Sequence, residues 1–585
     1  MRPSGFVTGF PEFLRYAFLV AALCQPLLAL SAKMVSAQSP PCVTDDRDSR
    51  QAAAVSGKVR ACPARGICDN PADRDSAIPD AETPIKYITV KFQSVSHDDG
   101  SDPLFSRTEA AAAIDWLNEC YEPWRIQFVY DHRTVYSTFF HDVESWYAVD
   151  DLGARFSIDT RHNLNVLTTN YWCEWMGQIT LCGGARGPWQ DPSGRPLWSV
   201  IMTRNHWQAD GLICHEVGHN FGLIHTFGEF DVTPCGACDE IVGAGEGDYT
   251  GDFCSDTPPT PVDPWNTRCA PAPGIDQCSG LPWGETDYRN WMAYTPYAPC
   301  KDHFTPHQAG RMHCWLEDVK SGWISYAKIE PDSDFGRAPL RVQFEGVTSM
   351  MPDDWDWDFG DGASGRGPSP THVYATPGIY TPTVMLDASE GEFAATMSRE
   401  IWVHADTVTI ENVEASPGTE LISVPVRTRT SLPVDYVDLP LHWDGPADLV
   451  LDSVSTTGPV SESFPIPQWL DLDVVNRRGC LRLRTVDSLA MPPGEGVLLD
   501  LWFSVDPSLS FADNAIRLAD YGSCRTQFVT DRGPYLPRVS NGSVLICEEL
   551  DCAYADAIRR PSGRRQPQTH QATDMSKRVD GRGGL

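Results

Sequence analysis

The sequence predicts a multidomain fold, an α+β domain followed by two all-β sandwiches. Three observations carry this. The chain has 585 residues, more than one hydrophobic core serves. Between residues 85 and 202, strand patterns and a helical pattern lead into a histidine-rich stretch at 215–225, which is an α+β order. After Gly322, helix signals give way to short β-rich runs separated by Asp, Gly and Pro.

The first element is not part of the fold. Residues 1–37 read as a secretory signal: Arg2 and Arg15 supply charge, an apolar run extends from Phe18 to Leu30, and Val35-Ser36-Ala37 is a small-residue cleavage site. A membrane anchor is the rival reading, but Gln25 and Pro26 interrupt the run and no other long apolar stretch follows. Residues 38–84 are polar and carry Cys42, Cys62 and Cys68. They form either a pro-segment, in which the thiolate of Cys62 or Cys68 blocks an open metal position, or an ordered lead-in whose cysteines pair as disulfides.

From residue 85 the pattern is structural. Residues 85–92 and 126–130 read as strands, with 165–169 and 199–202 as further strand candidates. Ser106-Arg107-Thr108-Glu109 is a helix start, and helical periodicity continues to Tyr121. The formal charge of −33 excludes nucleic-acid binding by bulk charge. Of 19 cysteines, Cys24 leaves with the signal and an even number remains, which in a secreted chain implies several disulfides. Cys235-Gly-Ala-Cys238 has redox or zinc spacing, but the lack of a second such pair favours a loop staple.

The stretch 215–225 reads HEVGHNFGLIH. His215 and His219 are four apart, so a helix places both imidazoles on one face. Gly222 is where the helix can break and turn sharply at low steric cost, bringing His225 round as a third ligand. Three protein ligands leave one position open for water, the layout of a catalytic zinc. Glu216 stands beside the first ligand, where it reaches that water. Downstream, Asn290-Trp291-Met292-Ala293-Tyr294 resembles the Met-turn of metzincin zinc proteases, which implies that Met292 gives the ion a soft apolar floor and that the Tyr294 hydroxyl donates to an oxyanion.

The H-E-x-x-H-x-x-G-x-x-H pattern is that of the metzincin zinc proteases, and residues 290–294 resemble their Met-turn. Leu117-Asn118, Ile126-Gln127-Phe128, HEVGHNFGLIHTF, Asp256-Thr257-Pro258-Pro259, residues 290–294 and Phe304-Thr305-Pro306-His307-Gln308 together resemble the pappalysin branch over residues 85–324. The resemblance implies a twisted, mostly parallel sheet with an active-site helix, zinc on His215, His219 and His225, Glu216 as general base, and Met292 in the turn. Ala293 departs from the acidic or small polar residue often found there. The family can also hold structural calcium between the zinc helix and the Met-turn. Glu246, Asp248, Asp252 and Asp256 are the oxygen donors in that interval, and the cysteines there, Cys235 to Cys300, are the alternative fasteners. The tryptophans 172, 175, 189 and 207 are either cleft residues or core.

The remaining elements are β. WDFGDG at 357–362, in its WDWDFGDG context, and the His372-to-Tyr380 segment resemble a PKD-type immunoglobulin-like sandwich over 325–405, with the Asp and Gly read as turn formers. Residues 406–552 form a second sandwich, loosely cohesin-like. Asn541-Gly542-Ser543 is an N-glycosylation acceptor or a hairpin turn, and Cys480, Cys524, Cys547 and Cys552 make two disulfides. Residues 553–585 read as a disordered tail. The expected function is a secreted zinc endopeptidase acting on proteins or peptides, without nucleic acid and without a membrane anchor once the signal is removed. The alternative is an extracellular adhesion or scaffolding protein with an inactive protease domain, although no ligand or base is substituted.

Overall fold

The computed structural model describes residues 42–43 and 62–547, the latter with breaks at 99, 176–177, 182, 191–199, 203–210, 229–233, 262–268, 295–299, 390, 446–448, 457–459, 461–462, 465–466, 486–489, 507 and 509–510. The expected signal, its cleavage site, most of the lead-in before Cys62, Trp207, Cys552 and the tail lie outside the described residues.

The strands of the first region are β1 (Cys42–Val43), β2 (Lys86–Ser96), β3 (Ile126–Tyr136), β4 (Asp142–Val143), β5 (Leu164–Thr168), β6 (Asn170–Trp175), β7 (Gln178–Leu181), β8 (Gly183–Ala185), β9 (Val200–Met202) and β10 (Ile324–Ser325). The main sheet runs β1-β8-β9-β5-β2-β10, with β3 also on β2. Pairs β1–β8, β9–β5, β5–β2 and β2–β3 are parallel. Pairs β8–β9 and β10–β2 are antiparallel. β2 pairs with β5 and with β3, and Ile88, Val90, Phe92 and Val95 are buried, as befits a parallel strand covered on both faces. β4, β6 and β7 make a small separate sheet, which the sequence patterns did not separate from loop.

The helices are α1 (Pro71–Ser76), α2 (Arg107–Tyr121), α3 (Thr138–His141), α4 (Trp146–Phe156), α5 (Leu212–Asn220) and α6 (Pro306–Asp318). α2 starts where the sequence predicts. Ser106 accepts from the Glu109 N–H and Glu109 accepts from the Ser106 N–H, a reciprocal capping box. α6 starts with the same device, Thr305 with Gln308, and Pro306 at its first turn. α2 grips α5 through the Cys120–Cys214 disulfide and a 2.7 Å hydrogen bond from the Tyr121 hydroxyl to the Cys214 carbonyl.

The lead-in from Cys62 onward is built into this region. Cys62 pairs with Cys238 and Cys68 with Cys314. Arg311 of α6, fully buried, pairs with the equally buried Asp69 at 2.8 Å. Arg74 donates to the Phe253 carbonyl. Of the two readings of these cysteines, disulfide pairing is the one observed: both thiols are consumed and neither is available to a metal as a cysteine switch. Cys235 pairs with Cys278, so the two cysteines of the Cys-x-x-Cys stretch take different partners and staple two loops.

Beneath the sheet, Lys86 donates to His313 Nδ1 at 2.6 Å, and His313 Nε2 meets the Trp124 carbonyl at 2.8 Å. Burial, reinforced by the Lys86 charge, pushes His313 down to about 4. An unfolded imidazole takes its proton near pH 6.5. Across the window from about 6.5 to 4 the unfolded chain binds more protons, so stability falls as pH falls through it. We expect a loss on the order of 3 kcal/mol by pH 4, and His313→Gln removes that part of the pH dependence in denaturant titrations.

The PKD-like region packs three short sheets around Phe344, Trp357, Phe359 and Tyr374. Its Asp residues close turns. Asp358 accepts from the Gly360 N–H and Asp361 from the Ala363 N–H, while Gly360 and Gly362 take φ of 82° and 89°. Lys91 of β2 donates to the Ser398 carbonyl, joining this region to the first. Residues from His404 onward form a separate compact unit of one five-stranded and one eight-stranded sheet, with a Cys480–Cys524 disulfide. Asn541-Gly542 is not a hairpin: Arg538–Ser540 belongs to one sheet and Gly542–Ile546 to the other, and Asn541 accepts from the Leu518 N–H.

Candidate metal centre

α5 carries His215, Glu216 and His219, all buried. Its end is set by Gly222, whose φ is +90°. The Gly222 N–H bonds the His219 carbonyl and the Leu223 N–H the Gly218 carbonyl, a Schellman turn. That turn swings His225 back towards α5. The ring centroids are 4.8 Å apart for His215 and His219, 5.2 Å for His215 and His225, and 4.7 Å for His219 and His225.

Each imidazole is fixed from behind by backbone. His215 Nδ1 lies 2.8 Å from the Trp291 carbonyl, and His219 Nδ1 lies 2.9 Å from the Leu223 carbonyl. His225 has a backbone hydrogen bond at Gly228. The carbonyls take the Nδ1 protons, which leaves the Nε2 lone pairs of His215 and His219 as donors to a metal. Those two Nε2 atoms stand 3.2 Å apart. Two ligands at about 2.0–2.1 Å around a tetrahedral zinc are ~3.3 Å apart, so the donor set fits that ion. Burial holds His215 and His225 well below the ordinary imidazole range, which keeps them neutral as ligands must be.

The floor comes from residues 290–294. Met292 is fully buried, and a Cβ on Gly218 would lie 2.7 Å from its sulfur. The turn is locked by an amide pair: Asn290 donates to Gln308 Oε1 at 2.8 Å, and Gln308 donates back to Asn290 Oδ1. Asn290 Oδ1 also accepts from the Met292 N–H. Asp256 accepts from the Thr305 hydroxyl and the His307 N–H. The motif pieces at 256–259, 290–294 and 304–308 are thus one hydrogen-bonded unit. Tyr294 stacks its edge at 4.8 Å from the His225 ring.

Sequence reasoning missed two contributors. Arg311 donates to the Gly222 carbonyl at 2.9 Å while paired with Asp69, so it braces the turn that delivers His225. Lys301 is buried, and its charge adds to the downward pull on His215 and His225. The calcium expectation finds no support. Asp248 is paired with Arg74, Asp256 caps α6, and Asp252 is buried against Thr257 and pushed by burial up to about 8. Of the tryptophans, Trp172 donates to Asp142 and Trp189 packs on Trp315.

Residues 201–317 match the family described as Pregnancy-associated plasma protein-A, and residues 330–403 match the PKD domain. Human Pappalysin-1 is 35% identical over 189 residues, which are 31% of this chain and 11% of that protein. An extracellular metalloprotease of Aspergillus oryzae is 37% identical over 118 residues, 20% of this chain and 31% of that protein. The chain thus spans about a tenth of Pappalysin-1 and a third of the fungal protein. A non-cellulosomal cohesin of Archaeoglobus fulgidus aligns in structure with 26% of this chain and 96% of its own at 17% identity, but with a TM-score of 0.20 it carries no argument. Residues 201–317 of this chain therefore carry a segment of the pregnancy-associated plasma protein-A family, followed at 330–403 by a PKD domain.

Proposed function

We propose that the chain is a secreted zinc endopeptidase of the metzincin type that hydrolyses peptide bonds of extracellular proteins. The observation that carries this is the convergence of three buried imidazoles, two with Nδ1 held by a named carbonyl, beside Glu216 on the same helix. His215, His219 and His225 would hold the zinc. When bound, the ion supplies Lewis acidity for the carbonyl and for water.

The other roles fall to side chains. Glu216 takes the proton from the attacking water and passes it to the leaving amine. The Tyr294 hydroxyl donates to the oxyanion that develops on the carbonyl. The Asn290–Gln308 pair and the Schellman turn keep the ligands in place without further reorganisation. Six disulfides among the described residues support an oxidising, extracellular setting. No helix among the described residues is long and apolar enough to cross a membrane. The test is peptide cleavage by a Glu216→Gln protein that still holds its metal; full activity there overturns the assignment.

A further inference from the structure

A second cluster of metal-ligating side chains lies outside this centre, at the carboxyl ends of β2 and β3. His97 directly follows β2, and His141 closes α3, which begins two residues after β3. Asp102 lies on the loop after His97. One ligand atom from each of His97, Asp102 and His141 lies within 4.8 Å of the others. The two imidazoles stack with centroids 4.0 Å apart.

The surroundings of His141 are those of a metal ligand. The residue is buried. Its Nδ1 is 2.5 Å from Asp142 Oδ2, and Asp142 is itself oriented by Asn170 Nδ2 and Trp172 Nε1, each at 3.2 Å. This is the carboxylate–histidine arrangement that fixes the tautomer of a ligating imidazole. The opposite nitrogen, Nε2, faces the Asp102 carbonyl at 3.0 Å and its carboxylate at 3.5 Å. His97 Nδ1 is closed to solvent and has no hydrogen-bond partner among the described residues. A buried ring nitrogen without a partner is costly, and a shared cation is what satisfies it. Asp102 is half exposed, at 49 %, so an entry path and a position for water remain.

We propose that His97, Asp102 and His141 form a second metal site, for a divalent ion of the zinc–cobalt–nickel class. Two imidazoles and a carboxylate are the donors such ions take, whereas magnesium and calcium prefer all-oxygen sets. The ion takes the His141 Nε2 lone pair, while the opposite ring nitrogen, Nδ1, stays against Asp142. The ion ties the 97–102 loop to α3. The competing arrangement has no metal: His141 is held by hydrogen bonds between Asp102 and Asp142. The proposal stands apart from the peptidase reading.

The test counts zinc on the full purified chain after exposure to zinc and gel filtration. Wild type is expected to keep two ions, His97→Ala/His141→Ala one, and His215→Ala/His219→Ala one. Peptide cleavage persists in the first double variant. Asp102→Asn changes a half-exposed residue and preserves the fold, and its second zinc is released at chelator concentrations that leave the first bound. One ion in wild type that survives His97→Ala/His141→Ala overturns the proposal. So does a second ion that persists in both the His97→Ala/His141→Ala and Asp102→Asn proteins, since it is then adventitious and bound elsewhere. One ion that survives only His215→Ala/His219→Ala upholds this site and instead defeats the catalytic centre.

Discussion

A Glu216→Gln protein is expected to hold its zinc, fold normally and lose cleavage by about 10²–10⁴-fold, the contribution of one positioned general base. The reason is positional. Glu216 is fully buried on α5 between His215 and His219, and glutamine keeps its volume and one acceptor oxygen but cannot take a proton. The histidines keep their backbone partners at Trp291 and Leu223, so metal content is unchanged. The loss falls in kcat, because the proton moves only in the transition state. A variant that binds zinc and turns over at the parental rate removes Glu216 from the mechanism.

The second large effect is on structure. Gly222→Ala places a Cβ 2.0 Å from Trp315 Cδ1 on a residue with φ of +90°. Left-handed backbone costs a residue with a Cβ about 1–2 kcal/mol, and forcing an atom into a packed core costs about 1–3 kcal/mol more. Trp315 cannot yield cheaply, since it is buried beside the Cys68–Cys314 disulfide. We expect a stability loss of about 2–5 kcal/mol and weaker zinc binding, because the same turn aims His225 and presents the Leu223 carbonyl to His219. Gly245→Ala is the control. It has φ of +68° with nothing within 4 Å, so it should show only the backbone part. Equal losses for the two in denaturant titrations contradict this account of the turn.

The clustering of the three histidines was legible because it is local. Helix periodicity sets His215 against His219, and Gly222 marks the turn, so eleven consecutive residues specify most of the centre. The same holds for the capping box at Ser106, which announces α2; the equivalent box at Thr305 was not read as a helix start, and the structure supplies it. Long-range features were not legible. Arg311 reaches Asp69 and the Gly222 carbonyl across most of the first region, and no spacing rule links those positions. Cys62 and Cys68 show the limit of order alone: disulfides could be expected, but nothing in the spacing names Cys238 and Cys314 as their partners. β6 and β7 were missed because their partners are each other and β4, so they form no part of the main alternating pattern.

A metal held by His215, His219 and His225 is expected to act together with Glu216. The most direct measurement is cleavage of a peptide substrate by purified protein, with metal content assayed on the same samples before stripping, after stripping with a chelator and after zinc is returned. The account predicts cleavage that disappears when the metal is removed and returns with zinc in wild type, and that does not return in His225→Ala. Cleavage that survives complete removal of metal, or that zinc restores equally in His225→Ala, contradicts it.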